Sequence, residues 1–257
     1  MTGWALALHG GAGPVRGTDY SAAEAHMTEL LRKGADLLDD GASALDVVSQ
    51  MVRALEESGL HVAGRGASPN RDGVWELDAS IMDGASRRAG AVAALVGCRS
   101  PVLAARAVME KTPHVLLAGA GAAAFCAREG LKAIGDPAAY YTPAVKTPVV
   151  QGELAHGTVG AVARDGRGRL AAATSTGGLL NKLPGRVGDS PLIGAGGGAD
   201  ERCAVSCTGQ GEYFIRVAAC AQTAWRVAAG QPLAEASRAV IDEIGALGGD
   251  GGLIALD

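Results

Sequence analysis

Apolar residues along this chain recur at two spacings. Between Ser21 and Gly41, Met27, Leu30, Leu31, Ala35 and Leu38 follow at three- and four-residue steps. That period predicts a helix, opened by an S-x-x-E capping box at Ser21 and Glu24 and stopped by Gly41. A second helix is predicted from Ser43, with Val48, Met51, Val52 and Leu55 on one face and Gly59 at its end. Two helices with so short a link suggest a helical hairpin lying on a sheet. Later helices are predicted from Ser100-Pro101 to Lys111, over Ala120–Arg128, from Glu212 to Ala229, and from Pro232 to Ile244. In the 212–229 helix Ile215, Ala218, Ala219, Thr223 and Val227 should face inward.

Shorter continuous apolar runs predict buried strands. The first is Trp4 to Leu8, which ends at His9-Gly10-Gly11-Ala12-Gly13. Trp75–Met82 and Ala89–Val96 form a hairpin, and Thr158–Ala163, Leu170–Thr176, Cys203–Cys207 and Leu253–Leu256 follow. Residues 135–157 carry prolines and no period, and predict a surface linker. Neither half holds a complete sheet with its own helices, so residues 1–257 read as one layered α+β domain.

Composition narrows the function. The 257 residues are 48% hydrophobic with 23 Lys+Arg against 27 Asp+Glu, a net charge of −4. Mean hydropathy is +0.16, which argues against disorder. A weakly acidic chain without a basic tract lacks the footprint of a nucleic-acid binder. No apolar run approaches the roughly 20 residues that span a bilayer, and the first residues lack a charged signal region. The expectation is a cytoplasmic protein with no membrane partner. The five cysteines include only one close pair, Cys203 and Cys207, with no histidine beside it. Buried thiols and no metal site are expected. Thirty-nine glycines cluster at the ends of apolar runs, where the backbone must turn or approach something closely.

Several segments could carry chemistry. Gly119–Ala124 and Gly194–Ala199 both fit G-x-G-x-x-A, with Asp136 as a possible ribose partner for the first. Chance matches are common in a chain so rich in Gly and Ala. His9-Gly10-Gly11 resembles an oxyanion loop of esterases, but no G-x-S-x-G accompanies it. A structural histidine holding a tight loop is expected there. The sharpest segment is His156-Gly157-Thr158-Val159-Gly160, where a buried-type strand begins at a threonine directly after glycine. Glycine tolerates the twisted backbone needed for a hydroxyl to attack its own preceding carbonyl. Cleavage there would give Thr158 a free α-amine of pKa about 7.7–8.0, able to act as base for its own hydroxyl.

The blocks G-T-V-G-A-V-A-R-D (157–165), A-A-A-T-S-T-G-G (171–178), N-K-L-P-G-R-V-G-D-S-P (181–191) and S-C-T-G-Q-G-E (206–212) occur in order. So do H-G-G-A-G-P (9–14), G-A-S-A-L-D-V-V (41–48), E-L-D-A-S-I-M-D-G (76–84) and S-P-V-L-A-A-R (100–106). Together they resemble the plant-type asparaginase/isoaspartyl peptidase family of N-terminal-nucleophile hydrolases over nearly the whole chain.

The resemblance implies a four-layer αββα sandwich, self-cleaved between Gly157 and Thr158 into an α subunit (1–157) and a β subunit (158–257). Such pairs usually dimerise. It implies hydrolysis of the β-amide of L-asparagine or of β-aspartyl peptides through a β-aspartyl ester. Thr158 would be the nucleophile, Thr176 its support, Thr208 and Gly209 the oxyanion donors, and Gly211 a carbonyl holding the substrate amine. Arg186 and Asp189 would bind the α-carboxylate and α-ammonium, and their opposite charges independently suit a zwitterionic head group. The Leu55–Arg65 loop matches one that wraps a sodium ion with backbone carbonyls in some relatives, while no cofactor is required.

Two departures accompany the match. Val62 stands where the family has an asparagine near the nucleophile. Relatives also continue past the segment ending at Asp257 with a further strand, whose loss would expose a sheet edge. A homologue that keeps the aspartyl pocket without maturing is therefore the alternative reading, and a dinucleotide-binding enzyme is a third.

Overall fold

The computed structural model describes residues 3–13, 18–144 and 157–257. It is a mixed α/β structure with two sheets. The larger has the order β1 (Ala5–His9), β5 (Val159–Arg164), β6 (Leu170–Thr176), β2 (Leu77–Asp83), β3 (Ala89–Leu95) and β4 (Leu116–Ala118). All its pairs are antiparallel except β3 with β4. The smaller sheet joins β7 (Gly197–Ala199), β8 (Ala204–Gly209) and β9 (Gly251–Leu256), all antiparallel.

The central strands are buried on both faces, which is why their sequences read as unbroken apolar runs. One face of β5 and β6 carries Val159, Ala161, Ala163, Ala171 and Ala173. These pack against α2 (Ala44–Ser58) and α3 (Pro101–Lys111) through Val47, Val48, Val52, Leu55, Val102 and Val108. The opposite face carries Val162, Leu170 and Ala172, which meet Ala199, Ala204, Ile254 and Leu256 of the smaller sheet. The far side of that sheet presents Cys203, Val205 and Cys207 to α6 (Gly211–Val217), α7 (Ala219–Ala228) and α8 (Leu233–Ala246), through Phe214, Cys220, Val240 and Ile244. Small side chains let the layers close. At Gly160 an added Cβ would collide with Ser206 Oγ and His9 Nε2.

The helix ends match the sequence in part. Ser43 caps α2, its hydroxyl accepting from Asp46 N at 3.1 Å, and Gly59 ends it at φ 74°. The box at Ser21 and Glu24 does not form. Ser21 is already the first residue of α1 (Ser21–Asp39), because the Asp19 carboxylate takes the Ser21 N–H at 2.9 Å. The predicted 212–229 helix is two helices, broken at Ala218 with φ 51°. The Ala221 N–H is drawn to the Gly194 carbonyl at 2.8 Å. The break puts Phe214, Val217, Ala219, Cys220 and Thr223 in the core, while Ile215, Ala218 and Val227 are only half-buried. Part of the expected surface linker is packed. After α5 (Pro137–Tyr140), Tyr141 is buried and stacks on Trp75 with ring centroids 4.7 Å apart. Residues 145–156 of that stretch lie outside the described residues. Among the described residues no helix is long and apolar enough to cross a membrane. All five cysteines are buried and free.

Candidate active site

Side chains alternate faces along a strand, so residues two apart point the same way. Thr158 precedes β5 on the face of Gly160 and Val162, the one turned toward the smaller sheet. Thr174 and Thr176 occupy the same face of β6, since Gly160 pairs with Thr174. From the other sheet, Ser206 and Thr208 of β8 point back. This register brings hydroxyl groups from three stretches of chain into the space between the sheets.

Thr158 is buried, and its Oγ1–H donates to Thr176 Oγ1 at 3.1 Å. The same Thr176 oxygen accepts from Gly178 N–H at 3.0 Å, so two donors polarise it. Behind the nucleophile lies His9. Its Nδ1 bonds the Thr158 carbonyl at 3.0 Å, and its Nε2 meets Ser206 Oγ at 2.8 Å. Ser206 Oγ in turn lies 2.7 Å from Thr174 Oγ1. Burial lowers the His9 pKa to about 4, so the ring is neutral at physiological pH. Because the Thr158 carbonyl can only accept, Nδ1 carries the proton and Nε2 accepts from Ser206. His9 thus holds a backbone carbonyl, and the carbonyl it holds is that of Thr158, the candidate nucleophile. Sequence reading missed Ser206 and Thr174, which have no motif of their own beyond lying within matched blocks.

Thr208 and Asp189 are both buried, and each keeps an unpartnered oxygen, Thr208 Oγ1 and Asp189 Oδ2. Buried polar atoms are normally satisfied, so these two oxygens are open to a partner outside the chain. Burial pushes the Asp189 carboxyl up to about 7, against the pull of Arg186. Gly209 has φ 151°, and an added Cβ would lie 2.5 Å from the Asp250 carbonyl. A Cβ on Gly211 would come within 2.7 Å of Asp189 Oδ1. Both glycines are therefore required by close backbone approach.

Arg186 and Asp189 do not pair with each other. Arg186 forms a two-bond fork with Glu212, both contacts at 2.9 Å. Its loop is fixed from below by Glu76, whose carboxylate accepts from Gly185 N at 3.0 and 3.1 Å and from Asn70 Nδ2 at 3.0 Å. Lys182 Nζ donates to the Glu76 carbonyl at 2.7 Å. Glu76 was visible in sequence only as the first letter of a matched block.

Val62 is buried against the Gly157–Thr158 bond. A Cβ on Gly157 would lie 2.5 Å from Val62 N and 2.6 Å from Val62 Cγ2. Its carbonyl accepts from Gly177 N at 2.8 Å, but its side chain offers no hydrogen bond. In the Leu55–Arg65 loop, Gly64 packs on the Glu56 carbonyl and Gly66 on the carbonyls of His61 and Gly59. The His61 carbonyl accepts from Ala63 N at 2.8 Å. Among the described residues no group of three or more His, Cys, Asp and Glu is placed to hold a metal.

The two G-x-G-x-x-A segments do not make nucleotide cradles. Cβ atoms on Gly119 or Gly121 would meet nothing within 4 Å, so no close approach requires those glycines. Asp136 spends its carboxylate capping α5 through Ala138 N at 2.9 Å. The segment at Gly194–Ala199 contains β7, an ordinary strand paired with β8.

A threonine at the head of a buried strand, hydrogen-bonded to a second threonine, is the arrangement a hydrolase with a threonine nucleophile requires. The asparaginase family profile matches residues 2–147 and 138–257, and the chain belongs to that family. It is 47% identical over a 281-position alignment to the isoaspartyl peptidase of Salmonella typhimurium, covering 98% of this chain and 88% of that protein. The Escherichia coli isoaspartyl peptidase is 46% identical, with coverage of 98% and 86%. The human isoaspartyl peptidase/L-asparaginase is 42% identical, with coverage of 89% and 78%.

Proposed function

We propose that this protein hydrolyses the β-amide of L-asparagine and of β-aspartyl dipeptides, using Thr158 as an N-terminal nucleophile freed by self-cleavage. The observation that carries this reading is the buried Thr158–Thr176 hydroxyl pair directly after Gly157. In maturation Thr158 Oγ1 attacks the Gly157 carbonyl. The peptide N–C bond breaks as an ester forms, and water releases residues 1–157 with a free amine on Thr158. In turnover that amine takes the Oγ1 proton, and Oγ1 attacks the substrate β-carbonyl. Thr208 Oγ1–H and Gly209 N–H donate to the oxyanion, each worth about 3–4 kcal/mol. Ammonia or the peptide amine leaves with the proton, and water hydrolyses the β-aspartyl ester to aspartate. Arg186 grips the α-carboxylate, Asp189 takes the α-ammonium, and the Gly211 carbonyl helps hold that ammonium.

The same reading includes a four-layer αββα sandwich, supported by the three apolar clusters that alternate helices, sheet, sheet and helices. It includes one domain cut into two subunits, dimerised as family membership suggests. It also includes a sodium ion held by backbone carbonyls of the Leu55–Arg65 loop, as the family resemblance implies, which would stiffen that loop. A cytoplasmic setting agrees with five free thiols.

Intact mass after incubation tests the proposal. A fragment beginning Thr-Val-Gly, together with release of aspartate from L-asparagine or β-Asp-Leu, is expected. Thr158→Ala should stay a single 25.7 kDa chain without turnover. A wild-type chain that is never cut and releases no aspartate would overturn it, and comparing the two substrates sets the preference.

A further inference from the structure

A second concave site lies away from the threonine cluster. It is a cleft of about 510 Å³, within the range of small-molecule sites, bordered by Arg53, Arg65, Arg99, Lys132, Glu57, Tyr140 and Leu131. Four cations face one carboxylate, in a chain whose net charge is −4. Glu57 is spent on Arg53, at 3.0 Å within α2. Among the described residues no carboxylate lies within 4.0 Å of Arg65, Arg99 or Lys132.

The frame carrying these cations is fixed. Arg99 N donates to the Lys132 carbonyl at 3.0 Å, and Ile134 N to the Gly97 carbonyl at 2.8 Å, so two rims are paired through their backbones. Thr142 N donates to the Arg65 carbonyl at 2.9 Å, tying the third cation to the segment that follows Tyr140. The Arg99 guanidinium lies 5.2 Å from the centre of the Tyr140 ring. Arg65, Arg99 and Lys132 are solvent-exposed, so water screens their mutual repulsion, and their hold on an anion would come from charge-assisted hydrogen bonds within the cleft. Guanidinium forks fit the oxygens of a phosphate better than a point charge does.

We propose that this cleft binds a small organic phosphate with a flat ring: the phosphate between Arg65, Arg99 and Lys132, the ring against Tyr140 and Leu131. The aspartyl head group of the substrate does not suit it, because its ammonium would find only Glu57, already paired. The proposal does not rest on the amidohydrolase reading, because binding is measured directly.

Isothermal titration at low ionic strength would use adenosine monophosphate, inorganic phosphate and adenosine as probes. Adenosine monophosphate should bind saturably with one-to-one stoichiometry, phosphate more weakly, and adenosine not at all. The double variant R99S/K132S should weaken adenosine monophosphate by about tenfold or more, since hydrogen bonds to charged groups are lost. Arg238→Ser, on the exposed side of α8, should change nothing, and thermal melting should show that both variants remain folded. The proposal fails if neither phosphate compound binds, if adenosine binds as well as its monophosphate, or if R99S/K132S binds unchanged. The last outcome would place the phosphate at Arg186 instead.

Discussion

Asp189 is the residue whose environment says most about turnover. In the proposed reaction it must be ionised to receive an ammonium, yet burial holds its carboxyl near 7. Below that pH it is protonated and offers no charge. Protonation of the Thr158 amine already lowers kcat/KM about tenfold per pH unit, so below roughly pH 7, where Asp189 is protonated as well, the fall for L-asparagine should steepen toward about a hundredfold per unit. In Asp189→Asn most of the activity should be lost and only the roughly tenfold limb of the amine should remain. Arg186 makes a second prediction. Its fork is held by Glu212, whose side chain is 55% exposed, and an ion pair of that kind is worth about 0.5–1 kcal/mol. If Arg186 grips the substrate carboxylate as proposed, that carboxylate has to displace Glu212. Glu212→Gln should lower KM roughly two- to fivefold with kcat unchanged. A rise in KM would mean that Glu212 aims the guanidinium and does not compete for it.

Among the elements, the join between α2, α3 and β6 depends on one buried side chain. Glu56 Oε2 accepts from Ser100 Oγ at 2.5 Å, and Oε1 accepts from Val102 N at 2.9 Å and from Ser175 Oγ at 2.7 Å. It caps α3 from another helix and anchors the residue next to Thr176. Burial raises its carboxyl to about 8, against the pull of those three bonds. Glu56→Ala would leave three buried groups unsatisfied. A loss of about 3 kcal/mol is expected, or roughly 6–12 °C in Tm for a chain of this size, readable by thermal melting. This cap was illegible in the sequence. Ser100-Pro101 correctly marked where the helix starts, but the acceptor for its first N–H groups came from forty-odd residues upstream. The break at Ala218 was hidden for a related reason, because a tertiary hydrogen bond to Gly194 overrides helical propensity.

Across the whole molecule, the strand order interleaves the two halves. β5 and β6 from the second half sit between β1 on one side and β2 on the other, through continuous registers of five and six residue pairs. A cut between Gly157 and Thr158 breaks no strand. The two polypeptides should therefore co-elute in native size-exclusion chromatography and separate only in denaturant. Separation in native buffer would contradict the interleaved sheet. The apolar face of each central strand is shared in the same way, since Val159, Ala161 and Ala163 pack on helices from the first half.

Most helices and the buried character of the long strands were present in local patterns, because period and residue type act over a few positions; the short strand at Gly197–Ala199 and the break at Ala218 were not. Thr158 stood out as a threonine opening a buried strand directly after glycine, and the expected roles of Thr176, Arg186, Asp189, Thr208, Gly209 and Gly211 came from the resemblance of their blocks to the family. The tertiary structure alone decided that His9 from the first strand holds the Thr158 carbonyl, that Arg186 is engaged by Glu212, and that Glu56 ties a distant helix to the strand of Thr176. Each of these joins residues far apart in the chain, and which distant partner a polar group meets is set by how the layers close, not by the sequence around it.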